Sequence, residues 1–520
     1  MALSWWQGGV VYQVYPRSFQ DSDGDGTGDL KGTIARLEHL AWLGVDAVWL
    51  SPIYPSPMTD FGYDVADYCD IDPLFGTMAD FTALRNRART LGLKLILDFV
   101  PNHTSDQHVW FQQSRRREAG KADWYLWRDP APGGGPPNNW LSHFGGLAWT
   151  WDPLREQYYY HAFLATQPDL NWRQPDVRRA MTDVLRFWLD RGVDGFRVDV
   201  IWLLIKDALF RDNPPNPDWD GTRLFESVLH VHTEDQPEVH DVIAEMRAAL
   251  DGYGDRILIG EIYLPVQRLV TYYGRDGRGV QLPFNFHLLR LQDWSATALA
   301  DLITRYEAAL PGGAWPNWVL GNHDRRRVAS RVGGAQARVA AMLLLMLRGT
   351  PTIYMGEELG MRDTPIPAAD LRDPAELRQP GQGQGRDPVR TPFPWDGTAQ
   401  RGFTTGTPWL PIGDDTPLSG QRDDPGSVVS LYRRLLALRR AHSALSEGKI
   451  ESVTATGPVL RYARTLEGVR FEVALNTGSA SASVEVPPGT VVADTHRYDH
   501  YDAWPASIIL QPDQGIVVRC

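Results

Sequence analysis

Eight short apolar runs recur along the first two-thirds of the chain, at Val10–Tyr15, Ala47–Leu50, Leu93–Phe99, Gly195–Val200, Ile257–Gly260, Val280–Phe286, Trp318–Leu320 and Thr352–Tyr354. Most are continuous rather than alternating, so both faces are buried, as in a parallel sheet covered by helices. Amphipathic periods lie between several of them. Ile34, Leu37, Leu40 and Ala41 share a helical face that stops at Gly44, and Val177, Met181, Val184, Leu185 and Trp188 share another before Gly192. Eight such units predict an α/β fold, a (β/α)8 TIM barrel, over an open doubly wound sheet. The sixth run is the weakest, because Pro283 withholds a ladder donor.

Two stretches interrupt the repeat. After Val100 a segment rich in Trp, Tyr, Gly and Pro predicts an inserted domain after strand 3. A second Gly/Pro/Asp-rich excursion runs from Gly356 to about Gly426, after strand 8, and loops of this length inside a domain usually carry function. From about Ile450 the texture changes to short runs separated by turn residues (Val459–Ala463, Val469–Leu475, Ala482–Val486, Ile508–Leu510), which predict a C-terminal all-β domain. The expected division is therefore 1–100 and 168–447 for the barrel, 101–167 for the insert and 448–520 for a β-sandwich.

Catalytic groups in a barrel sit where strands end and βα loops begin. Four runs stop there in ionisable residues: Leu97-Asp98-Phe99-Val100-Pro101-Asn102-His103, Gly195-Phe196-Arg197-Val198-Asp199, Leu258-Ile259-Gly260-Glu261 and Val319-Leu320-Gly321-Asn322-His323-Asp324. Converging carboxylates raise one another's pKa, so three on one rim need a use. Glycoside cleavage supplies one: a carboxylate attacks the anomeric carbon while a carboxylic acid protonates the departing oxygen. Arg197 and Asp199 point the same way along a strand, and the guanidinium is expected to hold Asp199 ionised as a nucleophile. Glu261, in an apolar context on the next strand, suits a raised pKa and the acid role. Strands about 4.8 Å apart bring the pair within reach of the roughly 5–5.5 Å separation of a retaining mechanism.

The loop Asp21-Ser22-Asp23-Gly24-Asp25-Gly26-Thr27-Gly28-Asp29 clusters four carboxylates on alternate, glycine-spaced positions. Hard oxygens at this spacing suit a structural Ca2+ or Mg2+, although Gly32 stands where an EF-hand has its glutamate. The expected ligands are Asp21, Asp23, Asp25 and Asp29 through side chains and Thr27 through its carbonyl.

Lys plus Arg total 52 against 64 Asp plus Glu, a formal charge of −12, which argues against nucleic-acid and anionic-membrane partners. The longest apolar stretch, Val339–Leu347, is too short to span a bilayer, the N-terminus shows no signal peptide, and two cysteines favour a reducing compartment. A cytoplasmic location is expected; oligomeric state is not legible.

The four strand-end runs, in this order, resemble the signature regions of the α-amylase family of glycoside hydrolases. Gln167-Pro168-Asp169-Leu170-Asn171 and Arg386-Asp387, ahead of Arg390-Thr391-Pro392, resemble its oligo-1,6-glucosidase and α-glucosidase branch. The resemblance implies Asp199 as nucleophile, Glu261 as acid/base and Asp324 as transition-state stabiliser. Arg197, His103 and His323 would contact the same sugar, Tyr63 would stack on it, and Asp60 paired with Arg386 would close the pocket behind its non-reducing end. Phe144, Phe163 and Gln167 would line the pocket from the insert. Small α-glucosides are the implied substrates, and a retaining exo-α-glucosidase without organic cofactor is the implied activity. Val200 fits either a linkage-selecting bulk beside the leaving group or plain strand propensity. Arg325-Arg326-Arg327 departs from the branch, which carries an uncharged pair before the last arginine; a solvated or salt-bridged patch and a leaving-group contact both explain it. A transferase or isomerase, a hydrolase of phosphorylated disaccharides, and a non-catalytic relative stay open as alternatives.

Overall fold

All eight apolar runs form strands of one parallel sheet in the computed structural model, which describes residues 3–497, 503–504 and 507–520. They are β1 (Val11–Val14), β2 (Ala47–Leu50), β3 (Lys94–Phe99), β4 (Gly195–Val198), β5 (Ile257–Gly260), β6 (Leu282–Pro283), β7 (Asn317–Val319) and β8 (Thr350–Tyr354). Their order, β7-β8-β1-β2-β3-β4-β5-β6, is that of the predicted barrel. No ladder joins β6 to β7 among the described residues. β6 shrinks to two residues because Pro283 offers no N–H.

Strand alternation builds the site. Val11, Trp49, Ile96, Ile257, Ile259, Leu282 and Val319 form one apolar cluster, while Tyr12, Val48, Leu50, Leu95, Leu97, Phe196 and Val198 pack with the helices in another. Side chains two apart share a face. Continuing the first set toward the strand ends therefore replaces apolar groups by Gln13 (after Val11), Asp98 (after Ile96) and Glu261 (after Ile259). Register sets Asp98 opposite Arg197. One end of the barrel is thus an apolar plug and the other a buried polar layer.

Helix α1 (Leu30–Leu43) starts at Asp29, whose side chain accepts the Gly32 N–H, and ends at Gly44 with φ of 101°. Helix α2 (Pro175–Asp190) buries Val177, Met181, Val184, Leu185 and Trp188, the face read from the sequence.

Between β3 and β4 the chain forms a short helix (Val109–Arg115) and an antiparallel sheet of Trp127–Arg128, Gln157–Tyr160 and Trp149–Asp152. Beyond β8, the excursion is mostly irregular and returns Arg386 and Arg390 to the barrel mouth. The C-terminal region holds a six-stranded sheet and the separate pair Ala482–Glu485 and Ser507–Leu510. Its first strand, Lys449–Thr456, escapes apolar-pattern reading because most of its side chains are exposed. Strands Gly489–Asp494 and Gly515–Arg519 complete the large sheet and were likewise absent from the expected set. No described helix is long and apolar enough to cross a membrane.

Candidate active site

Arg197 organises the polar end of the barrel. Its fully buried guanidinium contacts Asp98 Oδ1 at 2.9 Å, Asp199 Oδ1 at 2.7 Å and Glu261 Oε2 at 2.6 Å. Three buried carboxyls therefore share one cation. Burial lifts Asp98 to about 6, with Arg197 opposing and Glu261 adding. Burial also raises the Asp199 carboxyl well above the usual range; Arg197 opposes this, and Glu261 and Asp98 reinforce it. The expectation that Arg197 holds Asp199 ionised is therefore incomplete: burial and two neighbouring carboxyls act against the guanidinium at this carboxyl. The sequence reveals the guanidinium but not that three anions divide it.

The pair is oriented by what holds its inner oxygens. Asp199 Oδ1 accepts from Arg197 Nη1 at 2.7 Å, and the Asp199 and Glu261 side chains lie within hydrogen-bond reach of each other. Glu261 Oε2 accepts the Val200 N–H at 3.0 Å and contacts Arg197 Nη2 at 2.6 Å. Val200 is not a strand residue. β4 ends at Val198, and Val200 sits at φ 38° and ψ 44°, a left-handed conformation costly for a β-branched side chain by about 1–3 kcal/mol. Strand propensity therefore does not explain the valine.

Asp324 lies on the opposite wall. Burial would raise its carboxyl, but His323, Arg390, Arg386 and Arg197 overcome this and hold it well below the usual range. Arg390 Nη2 donates to Asp324 Oδ1 at 2.8 Å and its Nε donates to the His323 carbonyl at 2.9 Å. His323 is buried and its imidazole is held neutral by burial and the surrounding cations. Gln13 Nε2 donates to Nδ1 at 2.7 Å, which puts the ring proton on Nε2, 2.6 Å from Tyr63 Oη. Tyr63 in turn donates to Asp98 Oδ2 at 3.1 Å, and its ring lies stacked with His323, 5.2 Å between centroids.

The far end is closed by charge. Arg386 Nη2 donates to Asp60 Oδ1 and to Asp373 Oδ1, both at 2.6 Å, and its Nη1 lies 3.6 Å from Asp324 Oδ1. Gln167 Nε2 donates to Asp60 Oδ2 at 3.1 Å and lies 3.2 Å from His103 Nε2. Phe144 lies under the Arg386 guanidinium, and Phe163 packs between Phe144 and His103. Asp60, Tyr63, His103, Phe144, Phe163, Asp199, Val200, Glu261, His323, Asp324 and Arg386 line one cavity of about 330 Å³, while Gln167, Asp373, Arg197 and Arg390 stand behind its wall and hold these groups in place.

Arg390, Asp373, Gln13 and Asp98 belong to this network and were missed as site residues. Asp98 and Gln13 were findable from the two-residue strand period. Asp373 carries no motif and is defined only by the loop that folds it onto Arg386. The stack His143–Phe225–His230, with centroids 4.2 and 3.8 Å apart, was also invisible; it ties the insert to the loop after β4 beside the pocket.

In the metal loop, Asp21, Asp23 and Asp29 can each turn a carboxylate oxygen to within 4.8 Å of the others. Asp25 stands outside this group and accepts the Thr27 N–H at 2.7 Å.

A barrel that gathers two facing carboxyls, a third ionised carboxylate and a walled pocket at its strand ends defines an enzyme of glycosidic-bond chemistry. Residues 13–448 match the family model for the alpha amylase catalytic domain. The chain belongs to the alpha-amylase family of glycoside hydrolases. It is 42% identical over 502 residues to a probable alpha-glucosidase of Rhizobium meliloti, covering 93% of this chain and 91% of the other. Over 530 residues it is 37% identical to the oligo-1,6-glucosidase of Parageobacillus thermoglucosidasius, covering 94% and 93%. The crystal structure of an alpha-glucosyl transfer enzyme matches with a TM-score of 0.94 at 41% identity, and that of the trehalulose synthase of Pseudomonas mesoacidophila MX-45 with 0.92 at 34%, each covering 100% of both chains.

Proposed function

We propose that the protein is a retaining exo-α-glucosidase that releases terminal non-reducing glucose from short α-linked gluco-oligosaccharides and disaccharides through a covalent glucosyl-enzyme intermediate. The observation that carries this reading is the Asp60–Arg386–Asp373 ion-pair wall, which stands at one end of the cavity that Asp199 and Glu261 line and fits the closure of a chain end. Relatives named alpha-glucosidase and oligo-1,6-glucosidase support it.

The steps follow from the pairing of the two carboxyls. Asp199 attacks the anomeric carbon as the glycosidic C–O bond breaks, and Glu261 gives its proton to the departing oxygen. Arg197, in contact with Asp199 Oδ1, stabilises the carboxylate form that attacks. Asp324 and His323 face the ring and bind it more tightly as positive charge grows on it. Water then adds to the anomeric carbon, Glu261 takes its proton, and Asp199 departs as a carboxylate. A sugar or alcohol in place of water gives transfer, the chemistry named for the alpha-glucosyl transfer enzyme.

Timed product analysis on maltotriose tests the exo reading. Glucose and maltose are expected as first products in equal amounts, and from a longer α-glucan only glucose; maltose or larger sugars cut from a longer chain at early times would refute it. Arg386→Ala opens the wall and strands Asp60 and Asp373 without their cation. Its kcat/KM is expected to fall by about 10²-fold or more, chiefly through KM, in steady-state kinetics.

We propose further that Asp21, Asp23 and Asp29 hold a structural divalent cation. Three oxygen donors gathered beside the N-terminus of α1 fit a hard ion, which would neutralise them and fix the loop after β1. EDTA is expected to lower Tm by a few degrees, with Ca2+ or Mg2+ restoring it; an unchanged Tm together with no metal by elemental analysis would remove the site. The free thiols Cys69 and Cys520 support a cytoplasmic location.

A further inference from the structure

The Arg325-Arg326-Arg327 run resolves into three different arginines. Arg327 is buried and donates to the Met355 and Val389 carbonyls. Arg326 points to the surface and pairs with Asp363 at 2.7 Å. Arg325 lines the pocket, and its guanidinium lies 5.1 Å from the centre of the Tyr263 ring. A second pocket arginine, Arg290, lies 5.8 Å from the centre of the same ring. Both side chains are exposed, and neither has a carboxylate within ion-pair distance among the described residues. Arg197, Arg386 and Arg390, by contrast, each contact a carboxylate at 2.8 Å or less.

Their position fixes what they meet. The Asp60–Arg386 wall blocks the non-reducing end of the bound glucose, so the leaving group must exit beyond Glu261. Tyr263 follows Glu261 by two residues, and Arg325 follows Asp324. Glu261 and Asp324 attract Arg325 from across the pocket, but among the described residues neither lies within ion-pair distance of Arg325 or Arg290. Glu226 is taken by Arg223 at 2.8 Å, and burial lifts the Glu234 carboxyl to about 7.

We propose that Arg325 and Arg290, carried on the Tyr263 ring, form a leaving-group subsite for an anionic substituent, so that the preferred substrates are α-glucosides whose aglycone bears a phosphate or carboxylate. This rests on the glucosidase reading and names the substrate class of that same site. Charge-assisted bonds from one or two guanidiniums to such a group are worth about tenfold or more in kcat/KM over a matched neutral aglycone.

The test compares kcat/KM for two matched pairs: maltose against maltose phosphorylated on O6 of its reducing-end glucose, and 4-nitrophenyl against 4-carboxyphenyl α-glucoside. A ratio favouring at least one anion by about tenfold in the parent, lost in Arg325→Ala and in Arg290→Ala and retained in the surface control Arg326→Ala, is the expected result. The pair that shows it identifies phosphate or carboxylate as the ligand. A parent ratio near or below one in both pairs, or a ratio that survives both pocket substitutions, overturns the subsite while leaving the glucosidase reading intact. Absence of cleavage of all four compounds would instead refute the glucosidase reading.

Discussion

Asp199→Asn is expected to lower kcat/KM by about 10⁴-fold or more on every α-glucoside, good and poor leaving groups alike. The amide keeps the shape of the carboxyl but cannot form the glucosyl ester, so no leaving group is good enough to bypass the loss. The variant also removes one of three buried anions that share Arg197, so it should be folded with a Tm no lower than the parent. Azide supplies the decisive control. In Asp199→Ala a small anion can occupy the space the carboxyl vacates and attack directly, giving β-glucosyl azide with one inversion. Steady-state rates with and without azide, and the configuration of the product, check the assignment. Near-parent rates without azide would remove Asp199 from the nucleophile role.

Glu261→Gln is expected to behave differently. On maltose, whose leaving group needs a proton, the rate should fall by about 10²–10⁴-fold. On an aryl glucoside with a stable phenolate, the first step should retain much of its rate, while the second stalls for want of a base. The signature is a burst of phenol followed by slow turnover, with a lowered KM because the ester accumulates. Azide needs no base, so it should restore turnover and give α-glucosyl azide, the opposite anomer to that from Asp199→Ala. Equal loss on both substrate types with no burst would contradict the acid/base assignment.

The barrel was legible because burial on both faces leaves little freedom in composition: Leu95-Ile96-Leu97 and Ile257-Leu258-Ile259 can hardly be anything else. The C-terminal sheet was half legible, since Lys449–Thr456 is paired through backbone and exposes most of its side chains. At the site, residues fixed by strand geometry (Arg197, Asp199, Glu261) were readable with their positions. Residues brought in by irregular chain were not: Asp373 and the His143–Phe225–His230 stack depend on loop paths that no local periodicity encodes. The electrostatics of Asp199 were only partly legible for a related reason. Pairing Arg197 with Asp199 is a local reading of two residues, whereas the outcome depends on Asp98 and Glu261 drawing on the same guanidinium from neighbouring strands. Val200 was left open between a strand residue and a leaving-group contact, because sequence does not signal a β-branched side chain in left-handed backbone.

The account stands on a displacement by Asp199 followed by a second from water on the same face that the aglycone left. The most direct measurement is the anomer of glucose at first release, followed by NMR or polarimetry faster than mutarotation on an α-glucoside. Two inversions predict α-glucose at the outset, relaxing later to the equilibrium mixture. β-Glucose at first release would mean a single displacement by water and would contradict a glucosyl ester on Asp199.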